Sequence, residues 1–384
     1  MSHDVSLYSQ TNSLKKVMLG NFVDPEYFDS IENTKIKNSL QKICVEIHED
    51  LNNFKQTLFN HGVDVVQVEL EDKKFDPDEH VYPTVPRDNF HVIGNKFYIF
   101  NKKRDFTVVT KHINQSKIVD LSTEIETHRA ICEKNNNFYK DKKLISKQKY
   151  LELAGPGWPL FDDYLLDNYS CSQFIHDELS KFSSDFVYDD GFQSIDGPNV
   201  IVLDDYIIVD QNEYCQFDKI LQQHTQTNHK ITTMNLNAGH TDGSLMFTNS
   251  DCVVGISEVM DLLPLNIKTK LPIPWENYQE QIHQFQQAKK LTNGKWWIPG
   301  AETDEKLSNF INQYLSHWTG YTEETVFDVN FLLLDTYTAF VSNPSDKLKN
   351  LFQKIGVDVV YVPWRHRFFI DAGLHCMTLD LWRE

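Results

Sequence analysis

Close to the C-terminal end of the 384-residue chain, Gly373-Leu374-His375-Cys376-Met377-Thr378-Leu379-Asp380 sets a thiol inside an apolar-alternating run. The pattern reads as a strand that delivers Cys376 to a defined place. A free cysteine in such a run is most often a small buried hydrophobe. As a thiolate it is also a strong nucleophile. Three other stretches bear on the choice: Pro86-Arg87-Asp88, Ile195-Asp196-Gly197-Pro198-Asn199 and Gly239-His240-Thr241-Asp242-Gly243. Together they offer carboxylates, a histidine and a thiol.

The elements that must position these groups repeat along the chain. Ile36, Leu40, Ile43, Ile47, Leu51, Phe54 and Leu58 recur at helical spacing, Gly62 ends the helix, and Val63-Asp64-Val65-Val66-Gln67-Val68 reads as a strand. Leu348, Leu351, Phe352 and Ile355, then Gly356 and Val357-Asp358-Val359-Val360-Tyr361-Val362, repeat the unit, with Gly-Val-Asp-Val-Val identical in both places. A second repeat is a hairpin: Asn89 to Ile99, Asn199 to Val209 and Asn330 to Phe340 each place Asn before an apolar run, two turn residues and an aromatic-led strand. Thr248 to Ile256 reads as a degenerate fourth copy, and Val17-Met18-Leu19-Gly20 as a further short buried strand. The chain is thus expected to be one domain, residues 1–384, built from modules of hairpin, helix and strand. Irregular insertions are expected at about 101–190 and 264–325. Asn293-Gly294-Lys295-Trp296-Trp297-Ile298-Pro299-Gly300 in the second reads equally as a pocket lid or a surface hairpin.

Modularity gives the acidic residues a shared address. Asp88 directly precedes Asn89, Asp196 lies just before Asn199, and Asp328 just before Asn330. Each stands where the first hairpin strand of a module begins. In a closed ring of modules those strand ends converge, and carboxylates facing one another there require a cation to neutralise them. Taken singly, each is more often an ordinary turn aspartate; it is the set, with His240 and Cys376, that points to a site.

The totals narrow the class. A composition 40% hydrophobic and 12% aromatic supports a sizeable core, and a formal charge of −18 is unfavourable for nucleic acid and anionic lipid. That charge serves solubility and also favours a cationic ligand. No apolar run is long enough to span a membrane, and the N-terminal residues carry no signal-peptide pattern. Six cysteines without a CxxC pair fit a reducing cytosol rather than a disulfide framework or a zinc knuckle, so a cytoplasmic protein is expected. No motif for a metal, nucleotide or flavin is present, and no cofactor is expected.

Pro-Arg-Asp before one hairpin, Asp-Gly-Pro-Asn before another, His-Thr-Asp-Gly-Ser, and a terminal Leu-His-Cys-Met-Thr-Leu-Asp resemble, in order and spacing, the guanidino-group modifying enzymes. Within these the chain looks most like the amidinotransferases of the glycine and inosamine-phosphate type. The resemblance runs from about Val17 to the C-terminus. It implies an α/β fold, a five-module pseudo-symmetric propeller of the pentein type with the active site on its axis. It implies Cys376 as nucleophile, His240 as general acid and base, Asp196 as the partner of that histidine, and Asp88 and Asp242 as the pair that grips a guanidinium. Arg87, Asn199, His375 and Asp328 join the expected substrate-binding set, Asp328 standing where relatives carry a serine. The implied partners are L-arginine and a primary amine acceptor, and a homodimer is expected by the same analogy. Two alternatives are a guanidino hydrolase of the same superfamily and a non-catalytic guanidino-binding propeller. The arginine that relatives place about twenty residues after His-x-Asp is absent from Ser257-Glu258-Val259-Met260-Asp261-Leu262, which leaves the donor carboxylate to another basic group. The glycine pair before the cysteine is reduced to Ala372-Gly373.

Overall fold

The structure is a computed structural model. It describes residues 2–70, 73–76, 85–101, 107–127, 143–145, 186–188, 196–211, 216–235, 240–273, 304–315, 329–342, 345–370 and 372–384. Among these residues stand five three-stranded sheets of one design, in which a central strand pairs antiparallel on one side and parallel on the other. Leu14–Leu19 lies between Thr378–Arg383, antiparallel, and Asp64–Gln67, parallel. Lys96–Ile99 lies between Phe90–Ile93 and Ile118–Asp120. Tyr206–Asp210 lies between Val200–Val202 and Lys230–Met234. Cys252–Gly255 lies between Leu245–Asn249 and Thr269–Pro272. Thr338–Val341 lies between Leu332–Asp335 and Asp358–Tyr361. A two-stranded parallel ladder, Lys143–Ile145 with Phe186–Tyr188, stands outside the pattern.

The chemistry of the strands accounts for the design. A hairpin needs only a tight turn, whereas a parallel third strand needs a crossover. Helices supply it in three modules: Thr34–Asn60, Phe217–His224 and Asp346–Gln353. Shorter helical turns, Thr107–Thr110 and Ser257–Met260, lie within the other two crossovers. The antiparallel edge strands Val200–Val202 and Phe90–Ile93 are buried at every position, as strands covered on both faces must be. Gly62 and Gly356, at φ 78° and 73°, turn the chain from helix into strand at the two Gly-Val-Asp-Val-Val repeats.

Two boundaries differ from the sequence reading. Leu245–Asn249 is the first strand of the fourth hairpin, so that hairpin begins ahead of Thr248. Ser244 takes the place that Asn holds in the other copies, which removes the local signal. Regular structure also reaches into both expected insertions: Ile118–Asp120 and Thr269–Pro272 each complete a sheet. The paired-Trp stretch lies outside the described residues.

The N-terminal segment stitches sheets together. Ser6 bridges Trp382, Leu7 bridges Gly94, and the Gln10 amide donates to the Val202 carbonyl. The segment leading to Cys376 is held against the long helix. The Arg365 amide and Nε donate to the Asp50 carboxylate at 2.8 and 2.9 Å, and Trp364 Nε1 donates to the Ala372 carbonyl at 2.7 Å. Among the described residues no helix is long and apolar enough to cross a membrane.

One buried ring in this framework gives a pH prediction. His91 is fully enclosed; its Nδ1 lies 2.8 Å from the Val92 carbonyl and its Nε2 lies 3.3 Å from Gln10 Nε2. A neutral ring donating from Nδ1 and accepting at Nε2 satisfies both contacts. Burial, aided by the Arg87 charge, pushes its pKa down to about 4. In the unfolded chain the ring titrates near about 6.5. The unfolded state therefore takes up the proton first as pH falls, and stability is lost between about pH 6.5 and 4, by about 3 kcal/mol in all. Urea unfolding of the wild type and of His91→Gln at pH 7 and pH 4.5 checks this: the variant should lose less stability across that interval.

Candidate active site

In the five three-stranded sheets the strand that pairs antiparallel with the central one follows a short turn, and the sequence-predicted residues that the structure describes sit on or beside these turns. Pro86–Asn89, Gly197–Asn199 and Thr241–Gly243 are single helical turns. Residues 374–377 form the turn before Thr378. The turns touch in succession. Arg87 bonds the Cys376 turn. A Cβ on Gly197 would lie 2.1 Å from the Arg87 carbonyl oxygen, so only glycine permits that approach. The Gly197–Asn199 turn packs on Thr241–Gly243. Asn330 donates to the Asp242 carbonyl and returns to Cys376.

Arg87 builds the cysteine turn from below. Its Nε donates to the carbonyls of His375 and Thr378, both at 2.9 Å, and Nη2 donates to Asp380 Oδ1 at 3.1 Å. Arg383 Nε holds the other Asp380 oxygen at 2.8 Å. All three side chains are buried. Burial would push the Asp380 carboxyl up, but the Arg383 and Arg87 charges hold it far below the usual carboxylate range. Arg87 was expected to touch substrate; it is instead a buried clamp whose guanidinium bonds the His375 and Thr378 carbonyls and the Asp380 carboxylate. The reason is tertiary, because its partners lie nearly three hundred positions downstream in the sequence.

Cys376 itself is enclosed, and two polar groups of the described residues lie at its sulfur. Asn330 Nδ2 donates to Sγ at 2.9 Å, and Asp242 Oδ2 lies 3.6 Å from Sγ. The Asn330 Oδ1 accepts from the amides of His375 and Cys376, each at 3.0 Å. A Cβ on Gly373 would lie 2.4 Å from that same oxygen, so the glycine lets the asparagine approach the turn. The Asp242 Oδ2 lies 2.6 Å from His375 Nδ1. Burial raises the Asp242 carboxyl, but the hydrogen bond and charge of His375, with His240 and Arg87 further off, bring it below its ordinary value. Burial, then the Arg87 charge, drives His375 down. In this pair the Asp242 carboxylate accepts the N–H of His375 Nδ1. Asp242 Oδ1 is buried and accepts no hydrogen bond from the described residues.

His240 and its carboxylates form the more open side. Its Nε2 lies 3.4 Å from Asp196 Oδ2 and its Nδ1 lies 3.9 Å from Asp88 Oδ1. The three side chains are 17%, 15% and 27% exposed, against 1% for Cys376. Asn101 Nδ2 donates to Asp196 Oδ1 at 3.3 Å. Asn199, expected at the substrate, is fully buried, and its Oδ1 accepts from the Asp196 amide at 3.1 Å. It shapes the turn that carries Asp196. His375 likewise faces Asp242 from a buried position. Asp328 lies outside the described residues. Asp210 is buried and accepts from Thr241 Oγ1 at 2.9 Å, which fixes the residue next to His240.

The structure thus brings Cys376, Asp242 and His375 into one cluster and His240, Asp196 and Asp88 into a second. The two are joined through the single turn that carries both His240 and Asp242. Asn330 was missed as a site residue, although the Asn-before-hairpin repeat marks it. Among the described residues no group of three or more His, Cys, Asp or Glu is arranged to hold a metal. Chemically, the arrangement offers an enclosed thiol, an ionised carboxylate beside it, and a histidine backed by a second carboxylate.

No family model matches the sequence, and no curated protein sequence matches it. Solved structures do match. SxtG, an amidinotransferase of the saxitoxin biosynthetic pathway from Microseira wollei, superposes with a TM-score of 0.52 at 14% identity, over 99% of this chain and 97% of its own. The inosamine-phosphate amidinotransferase StrB1 from Streptomyces griseus superposes with a TM-score of 0.52 at 15% identity, over the same shares. The chain shares the fold of these two proteins across nearly its whole length.

Proposed function

We propose that the protein is an amidinotransferase that moves the amidino group of a guanidino donor, L-arginine, to a primary amine through a covalent amidino-Cys376 intermediate. The five sheets are the modules of a pentein-type propeller, and the lead-in turns meet at its axis. The observation that carries the reading is Asp242. Its carboxylate lies 3.6 Å from the Cys376 sulfur and keeps one buried oxygen without a donor among the described residues. A buried acceptor in that state calls for a partner. A planar guanidinium supplies N–H groups of the right geometry and the opposite charge.

The mechanism follows from the groups present. Asp242 and Asp88 hold the guanidinium with its central carbon in front of sulfur. The cation also offsets the negative charge of Asp242, which otherwise opposes ionisation of the neighbouring thiol. The thiolate forms a C–S bond to that carbon. The bond to the donor's side-chain nitrogen then breaks, and His240, oriented by Asp196, protonates the leaving nitrogen. Ornithine departs and the amidino group remains on sulfur. His240 next takes a proton from the incoming amine, which attacks the same carbon and releases the thiolate. A water molecule in place of the amine turns the sequence into a hydrolysis.

Incubation with L-arginine and a panel of primary amines tests the proposal. Ornithine that forms only when an acceptor is present supports it. Citrulline and ammonia formed without acceptor replace it by a hydrolase. Absence of any product from arginine and other guanidino compounds replaces it by a binding module.

A further inference from the structure

Among the described residues the amide of Asn330 bonds both the backbone and the sulfur of Cys376. It reaches Cys376 twice. Oδ1 accepts from the His375 and Cys376 backbone amides, which orients the carboxamide and leaves Nδ2 facing the sulfur at 2.9 Å. The two backbone bonds also settle which end of the carboxamide is oxygen. Asn330 is itself buried, on the turn before Leu332–Asp335, and the Asp242 carbonyl accepts the other direction of Nδ2 at 3.4 Å. The sulfur therefore has an N–H donor on one side and a carboxylate on the other. The carboxylate opposes a negative charge on sulfur; the donor favours it.

We propose that Asn330 is a catalytic residue, a fixed N–H donor that stabilises the Cys376 thiolate against the adjacent Asp242 carboxylate. The inference rests on the reading of Cys376 as nucleophile, and it concerns the resting enzyme before any donor binds. The Oδ1 bonds are the structural half of the side chain. The Nδ2 bond is the chemical half, because it strengthens when the thiol loses its proton and becomes a charged acceptor. It serves a second time when the amidino group leaves sulfur, since the departing thiolate returns to the same donor.

The test is the pH dependence of Cys376 alkylation by iodoacetamide, followed by peptide mapping so that other cysteines do not contribute. The rate rises with the thiolate fraction, so the midpoint reports ionisation and the high-pH plateau reports access. Asn330→Ala removes the donor without adding charge and should raise the midpoint by about one pH unit, or lower the rate at neutral pH about tenfold. Asn330→Asp keeps an acceptor for the two amides but puts a second carboxylate at the sulfur, and should raise it further. A purely structural role would change the plateau and the melting temperature and leave the midpoint where it was. An Asn330→Ala midpoint equal to the wild type overturns the proposal, whatever Asn330→Asp does, because a shift in the latter alone is a charge effect. If Asn330→Ala does not fold, Asn330→Leu, close in volume, neutral and without a donor, is read by the same criterion. Alkylation involves no guanidino compound, so a shifted midpoint stands even if arginine is not turned over, and turnover without a shift removes Asn330 alone.

Discussion

Cys376→Ala should lower kcat/KM for amidino transfer by about 10⁴-fold or more, to the level of the uncatalysed background, while the fold survives. The substitution deletes one buried atom. Its backbone amide still donates to Asn330 Oδ1, and Asn330 Nδ2 still has the Asp242 carbonyl. The turn also remains clamped through Arg87 to the His375 and Thr378 carbonyls. The thermal midpoint should therefore move by a few degrees at most, as expected for a loss of about 1 kcal/mol. Steady-state assays beside a melting curve separate the two effects. A variant that keeps more than about a hundredth of wild-type turnover would remove the thiol from the mechanism.

The largest expected effect on stability comes from Arg87→Met. The guanidinium satisfies two backbone carbonyls and half of the Asp380 carboxylate, with both charged partners 1% exposed. Methionine restores most of the volume and none of the donors. Asp380 keeps Arg383 and the His375 carbonyl keeps the Thr378 amide and hydroxyl, but Asp380 Oδ1 and the Thr378 carbonyl lose the Arg87 N–H groups. Breaking one side of such a buried pair costs about 3–5 kcal/mol. Urea unfolding should show that loss as a lower midpoint at unchanged slope. Arg87→Lys should recover little of it, because an ammonium cannot span three acceptors in the plane of the fork. A loss of under about 1 kcal/mol in Arg87→Met would mean that the clamp is not what holds the cysteine turn.

Much of the fold is legible in the residues because it repeats. Two identical Gly-Val-Asp-Val-Val turns and three Asn-led hairpins mark modules by local chemistry alone, and each appears as a strand pairing in the structure. The fourth module was displaced because Ser244 carries no such mark. The third strands Ile118–Asp120 and Thr269–Pro272 were passed over because short, partly polar strands look like loop. The site divides in the same way. Cys376, His240, Asp196, Asp88 and Asp242 stand out in the sequence as candidates by their types and by the turns that carry them, while their roles come from the family resemblance. What Arg87, Asn199 and Asn330 touch is not legible there, because their partners are brought close only by folding. An arginine beside an aspartate reads as a ligand contact until its carbonyl partners are known. An asparagine before a strand reads as a turn residue until a sulfur is found against its amide.

The central claim is that the Cys376 sulfur takes up an amidino group. Acid-quenched intact-mass measurement of the protein mixed with L-arginine, without acceptor, tests it most directly. The account predicts a mass increase of one amidino group, mapped to the peptide that holds Cys376, with ornithine released in equal amount and neither seen in Cys376→Ala. An unchanged mass at saturating arginine, with no ornithine in solution, would contradict it.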